Sequence, residues 1–291
     1  WFVSDDRVDQ LLDELNKLPV LLTTSRHCQS IFLRDGITTR IEIVPEAVDD
    51  EFWKPLSVEE IRPIGEFLSI QEEGIDLPPQ FDLLKLKADG VPILFTTGGE
   101  ATFKGAQEVM QALGRIHTKN STLPWMYLLK TWPSARSLRR SAEELQLAAE
   151  LGIGERIRYI IGEYSREFLR GLMNLCDIYV APSRSEGFGL PLVEAQMCKK
   201  PAVGLASNAS GETIIDEKTG YVVAADAASA QPKADIGHLT EVLTKLISDA
   251  SLRRKLGQEA RVHAQDTYNP NTIAQRFLDI FSRLDFKTLR L

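Results

Sequence analysis

The chain has 291 residues, 43% hydrophobic and 26% charged, the make-up of a globular protein with one large or two modest domains of about 150 residues each. Average glycine and proline contents exclude a collagen-like or broadly disordered chain, and no apolar run approaches the roughly 18 residues of a membrane-spanning helix. A formal charge of −7 argues against a general nucleic-acid binder, whose affinity rests on a basic, phosphate-facing surface.

In chain order, strand patterns fall at residues 20–23, 40–44, 92–96, 125–129, 156–161, 177–181, 201–206 and 220–223. Several are apolar at successive positions, as strands buried on both faces of a parallel sheet are. Helical patterns lie between them. Val109, Leu113 and Ile116 share one face, as do Leu239, Leu243, Leu246 and Ile247. Residues 56–90 break the rhythm: polar, with Pro63, Pro78 and Pro79, they predict an inserted helix and loop ahead of the main sheet. From about residue 235 the chain reads as helix throughout, with a break at Asn269-Pro270. The last helix carries Ile273, Phe277, Ile280, Phe281 and Leu284 as its apolar stripe. Strand–helix alternation of this kind predicts a doubly wound α/β fold with a parallel sheet.

Cys28, Cys176 and Cys198 are odd in number and widely spaced, the usage of a reducing cytoplasm rather than of a disulfide framework. His27, His117, His238 and His263 form no metal-spaced pair, and no Asp-x-Asp occurs, so neither a metal nor a cofactor is expected. The chain opens at Trp1 without a signal-peptide pattern and reads as a piece of a longer protein.

In an open parallel sheet, ligands bind beyond the carboxyl ends of the strands. Two strand-to-helix turns stand out. In the first, Thr97-Gly98-Gly99 leads to Lys104 near the opening of the next helix. Glycines there allow positive φ and close backbone approach, helix amides favour an anion, and the lysine adds positive charge for a phosphate. Ordinary α/β turns carry the same residue types. In the second, Pro182-Ser183-Arg184-Ser185-Glu186-Gly187-Phe188-Gly189-Leu190-Pro191 places free amides at a helix mouth, with Glu186 in the loop and Glu194 about one turn inside the helix. Carboxylates beside an anion site suit sugar hydroxyls, which donate to them. A dipole role for Glu194 and a capping role for Glu186 read equally well from these residues alone.

The stretch from Glu186 to Glu194 resembles the Glu-x7-Glu motif of the retaining family-four glycosyltransferases, enzymes of the two-domain GT-B fold. The likeness runs on, in the family's order, from about residue 20 to 225. It takes in Thr24-Ser25, the hinge-like Ile43-Val44-Pro45-Glu46-Ala47-Val48-Asp49 with Phe52-Trp53-Lys54-Pro55, and Lys104-Gly105. Gly162-Glu163-Tyr164-Ser165, Asp177-Ile178-Tyr179-Val180-Ala181-Pro182-Ser183, Ser210-Gly211-Glu212 and Thr219-Gly220 complete it.

This resemblance implies that the chain is the donor-binding half of such an enzyme. Lys104 then contacts the diphosphate of a nucleotide-sugar donor, with Gly98 and Gly99 in the same turn. Glu186 faces the donor sugar, Glu194 holds the ribose, and the amides of Gly187, Phe188, Gly189 and Leu190 meet phosphate or sugar. The backbone at Tyr164 touches the base. Residues 1–34 correspond to a remnant of the acceptor domain, 35–270 to the nucleotide-sugar-binding domain with its insertion at 56–90, and 271–291 to a helix crossing back to the missing N-terminal domain, free to self-associate through exposed Phe277 and Phe281. Two positions depart from the pattern. The arginine usual five residues before the lysine is Gly99, so that either Lys130 or Arg184 substitutes or turnover is weak, and the hinge has Glu46-Ala47 where Asn-Gly is usual. The acceptor stays open. A nucleotide-sugar epimerase or phosphorylase on the same fold, or a non-catalytic nucleotide-sugar-binding module, is the alternative.

Overall fold

The computed structural model describes residues 5–69, 82–99, 101–229 and 232–284; Trp1, Pro78, Pro79 and Glu100 lie outside them. Each of the eight expected strand segments overlaps an observed strand, with the strands at 93–97 and 126–131 running one and two residues past the expected ends. The chain begins with α1 (Asp5–Asn16), β1 (Leu21–Thr23), α2 (Arg26–Arg34) and β2 (Ile41–Ile43). Here β1 and β2 pair in parallel as a two-stranded sheet of their own, so residue 34 falls between two paired strands. The segment from 56 forms α3 (Val58–Ser69), with Pro63 inside it, and α4 (Leu83–Ala88), as an inserted helical stretch.

The main sheet follows: β3 (Ile93–Thr97), α5 (Ala106–Lys119), β4 (Met126–Thr131), α6 (Ala135–Glu150), β5 (Ile157–Ile161), α7 (Arg166–Leu175) and β6 (Ile178–Val180). After these come α8 (Leu190–Met197), β7 (Ala202–Leu205), the short α9 (Ser210–Thr213), β8 (Gly220–Val223), α10 (Ile236–Ser248), α11 (Ala250–Tyr268) and α12 (Pro270–Phe281). The strand order is β5-β4-β3-β6-β7-β8, all parallel. Successive strand residues face opposite layers. Leu94, Tyr127, Leu129, Ile178 and Val180 join the core under α5 and α10, while Ile93, Phe95, Met126, Leu128 and Tyr179 join the core under α7, α8 and α11. Double-sided burial is the physical reason the strands read as unbroken apolar runs.

The break at Asn269 is real: its side chain caps α12 by accepting from Thr272 N at 2.9 Å. The helical stripe then divides. Ile273 and Ile280 are buried with Val44 and Leu22 against the small sheet, whereas Phe277 and Phe281 remain exposed, ring centres 6.0 Å apart. Among the described residues no helix is long and apolar enough to cross a membrane.

Candidate functional site

The sheet is built outward from β3, first through β4 to β5, then through β6 to β8. The order reverses between β3 and β6, which pair through Leu94 with Ile178 and Phe95 with Tyr179. A crevice opens where crossovers leave in opposite directions, beyond the carboxyl ends of these two strands. The loops that leave there are the two singled out in the sequence.

After β3 the chain does not enter α5 directly. Ala101–Lys104 form a 3-10 turn, so Lys104 ends that turn rather than opening the helix. The turn is anchored below by Thr102, whose hydroxyl donates at 2.6 Å to the buried carboxylate of Glu144; Tyr159 donates to the same carboxylate. Burial drives the Glu144 pKa upward against both hydrogen bonds. The glycines do less with φ than expected. Neither Gly98 nor Gly99 has positive φ; at Gly98 a Cβ would lie 2.7 Å from the Lys104 chain, which folds across it. The left-handed residue is Gly105, φ +83°, where a Cβ would stand 2.7 Å from the Pro182 carbonyl oxygen. Gly105 thereby lets the two loops touch, and Arg184 N donates to Phe103 O at 2.9 Å across the same seam.

The approach brings Lys104 and Glu186 together: Nζ donates to Oε1 at 2.5 Å, with both side chains partly buried. The Glu186 loop is fixed from behind by Asn208 donating to Ser183 O and by Ala209 N donating to Glu186 O at 3.3 Å. It is fixed from the side by Thr24, whose hydroxyl donates to Gly187 O at 2.8 Å. Gly189, φ +93°, then turns the chain into α8, with Pro191 in its first turn. The amides from Glu186 to Leu190 donate to no acceptor among the described residues. The Phe188 ring is buried edge-on against Tyr268 at 5.4 Å, which leaves only its backbone to face a ligand.

Glu194 lies one turn inside α8. Its carboxylate accepts no hydrogen bond among the described residues, and burial lifts its pKa from 4.5 to about 7, opposed only by the charge of Arg166. The charges of Glu186 and Glu194 add to the burial that raises the pKa of Tyr179, in the middle of β6. The Tyr164 ring stacks on Phe168 at 4.3 Å and covers Gly162 at the end of β5.

Of the two substitutes for the missing arginine, Arg184 is already engaged. Its Nη2 donates to Glu108 Oε1 at 3.0 Å, a pair with side chains 15% and 6% exposed. Lys130 stands at the end of β4 in register with Thr97, its ammonium 5.6 Å from the Trp132 ring centre. Burial lowers its pKa, and the charge of Glu163 works against that. Sequence reasoning missed Glu108, Trp132 and the facing of Glu46 onto Glu186. Burial, and then the Glu186 charge, raise the Glu46 pKa. The Glu-for-Asn departure in the hinge was the available signal for the last of these. Beside Thr24 a cleft of about 490 Å³ is lined by Arg26, Phe188, Glu212, Tyr268 and Arg276, and Glu212 accepts from Arg26 N and His27 N at 2.9 and 2.8 Å.

A six-stranded parallel sheet of this order, with its crevice at the reversal, is the doubly wound fold of a GT-B carboxyl-terminal domain. The family model of glycosyl transferases group 1 matches residues 104–263, and the chain belongs to that family. It is 26% identical over 275 residues to a D-inositol 3-phosphate glycosyltransferase of Salinispora tropica, covering 94% of this chain and 52% of the relative. The chain thus spans about half the length of the curated relatives it matches. Among solved structures, Anabaena HepE in complex with UDP aligns with a TM-score of 0.76 at 17% identity, covering 97% of this chain and 69% of that one. The carboxyl-terminal domain of a group 1 glycosyl transferase from Francisella tularensis aligns with a TM-score of 0.58 at 23% identity, covering 77% of this chain and 99% of that domain.

Proposed function

We propose that this chain is the donor-binding half of a retaining glycosyltransferase that takes a sugar from a nucleoside-diphosphate sugar without a metal. The observation that carries the reading is the Glu194 carboxylate, left without a hydrogen-bond donor beside a row of free amides. A vicinal diol supplies two donors to such a group, and the amides supply what a diphosphate needs. The family relation and the HepE complexes with UDP and UDP-glucose support the same ligand class. The missing Asp-x-Asp supports a metal-free site. In this reading residues 1–34 belong with an acceptor domain, 35–270 bind the donor, and 271–291 brace the two.

Lys104 meets the diphosphate, with Lys130 as the second cation in place of the absent arginine. The Lys104–Glu186 pair then works as an exchange. An arriving diphosphate takes the ammonium, and the freed Glu186 carboxylate turns to the donor sugar's hydroxyls. As the glycosidic bond breaks, negative charge grows on the leaving diphosphate, and the preset lysine and amides stabilise it. The departing phosphate oxygen accepts the proton of the acceptor hydroxyl, so retention needs no separate base. The Tyr164 backbone borders the base.

Calorimetric titration of Lys104→Ala and Glu194→Gln with a nucleoside and its diphosphate tests these roles. Lys104→Ala is expected to weaken only the diphosphate and Glu194→Gln both ligands, each by about 10- to 100-fold for a lost charge-assisted hydrogen bond. Equal weakening of both ligands by Lys104→Ala, or none by Glu194→Gln, refutes the assignment.

A further inference from the structure

At the amino end of the sheet, opposite the crevice, a second cleft of about 360 Å³ is lined by Lys87, Lys199, Lys200, Arg253 and Arg254, with Asp177 the only carboxylate lining it among the described residues. A chain of net charge −7 has gathered five cations around one acid. Three of them are built in. Lys200 donates to Asn174 O at 2.9 Å, and Lys87 to Leu175 O and Asp177 Oδ1 at 3.0 Å each, so both cap the carboxyl end of α7. Arg253 donates to Leu246 O and Ile247 O at 2.7 and 2.9 Å at the end of α10.

The other two are unspent. Lys199 and Arg254 are exposed and have no carboxylate partner among the described residues. Lys199 is held with φ +59°, a left-handed conformation that costs a lysine energy. Gly257 on α11 has no room for a Cβ against the Lys199 carbonyl, so α11 rides close and brings Arg253 and Arg254 onto the cleft. Like charges are therefore pressed together. Burial, and then the Lys87 charge, lower the Lys200 pKa, and Arg254 adds to the burial that lowers that of Arg253. Asp177 answers part of this while also accepting from Ile93 N at 2.9 Å, and Asp249, whose charge reaches Arg253, is occupied in capping α11 through Leu252 N.

We propose that this cleft binds a phosphate group, at a site separate from the donor crevice. A compact, multiply charged anion relieves the repulsion among fixed cations and gives Lys199 and Arg254 the partner they lack. The site is independent of the donor assignment, since it shares no residue with it.

Calorimetric titration with inorganic pyrophosphate at fixed ionic strength tests the proposal in the wild type, in Lys104→Ala to weaken the crevice, and in Lys104→Ala carrying Lys199→Glu/Arg254→Glu. Lys104→Ala is expected to keep a pyrophosphate site, and the charge-reversed pair to lose at least about tenfold in affinity for it. If the reversed pair fails to fold, Lys199→Gln/Arg254→Gln is expected to move the affinity the same way. Flotation with vesicles of phosphatidylserine and phosphatidylcholine in equal parts separates the sources of the phosphate. Retention abolished by the same substitutions assigns a lipid headgroup, and absence of retention assigns a soluble ligand. No pyrophosphate binding in Lys104→Ala, or binding that both Lys199/Arg254 pairs leave unchanged, overturns the proposal.

Discussion

Replacing Glu194 by glutamine removes one titration from the centre of the site, and its effect can be worked out from the burial of that carboxyl. The folded protein raises the Glu194 pKa from 4.5 to about 7, chiefly by burial. Between those two pH values the folded state keeps a proton that the unfolded chain has released. Stability then falls as pH rises, by about 3 kcal/mol across the window, and is lowest above it. Glutamine cannot ionise, so Glu194→Gln is expected to match the wild type near pH 4 and to exceed it by up to that amount near pH 8. Binding should run the other way. Ribose hydroxyls donate to the ionised carboxylate, so nucleoside affinity of the wild type rises as pH passes through about 7 and then levels off. Urea denaturation and calorimetric titration at pH 5, 6, 7 and 8 read both effects. If wild type and variant keep a constant stability difference over this range, or if nucleoside affinity in the wild type is flat, the buried-carboxylate argument is wrong.

Arg184→Met strands the Glu108 carboxylate in the core and is expected to cost about 3–5 kcal/mol by urea denaturation, part of it recovered in Arg184→Met/Glu108→Gln. Gly105→Ala forces a left-handed alanine against the Pro182 carbonyl and is expected to cost on the order of 1–3 kcal/mol and to weaken nucleoside-diphosphate binding, both measured on the same sample. Magnesium or a chelator is expected to change nucleoside-diphosphate affinity by no more than a few-fold, and a chelator-induced loss in calorimetry refutes the metal-free reading. The chain by itself is expected to bind donor without transferring sugar; robust transfer in a radiolabelled-donor assay refutes that half-enzyme reading.

The strands were legible because burial on both sheet faces leaves little choice but apolar residues at successive positions, as in Ile93–Thr97 and Met126–Thr131. The two loops of the candidate site stood out for a topological reason: β3 and β6 adjoin at the reversal, and each is followed by glycine and charged residues within a few positions. Contacts made across long sequence distances were not. Nothing local says that Arg184 is taken by Glu108, 76 residues away, or that Thr24 reaches Gly187 across 163. The 3-10 turn before Gly105 was also hidden, because Ala101-Thr102-Phe103-Lys104 has no pattern that separates it from a first helical turn. The small sheet of β1 and β2 packs against α12 through Leu22, Val44 and Ile273, a contact no short window contains.

Under the proposed function the crevice has to meet two demands that conflict in charge. Binding a diphosphate calls for positive potential, while gripping sugar and ribose hydroxyls calls for carboxylates, and each carboxylate repels the diphosphate. The structure separates the three acids by what neutralises them. Glu186 is paired with Lys104 at 2.5 Å, so the loop carries little net charge until a ligand divides the pair. Glu194 is kept protonated in part by burial at neutral pH, and Glu46 is pushed the same way by burial and by Glu186. An empty crevice therefore stores less negative charge than its three carboxyl groups suggest. In the proposed function ligand binding shifts it: hydroxyl donors would stabilise the ionised Glu194 and the diphosphate would claim Lys104, so a proton is expected to leave as the nucleotide enters. Titrating in buffers of different ionisation enthalpy near pH 7 should show that release in the wild type and its reduction in Glu194→Gln. Proton release that is equal in the two proteins would mean that Glu194 does not meet the ligand, and the charge argument for the site would fail with it.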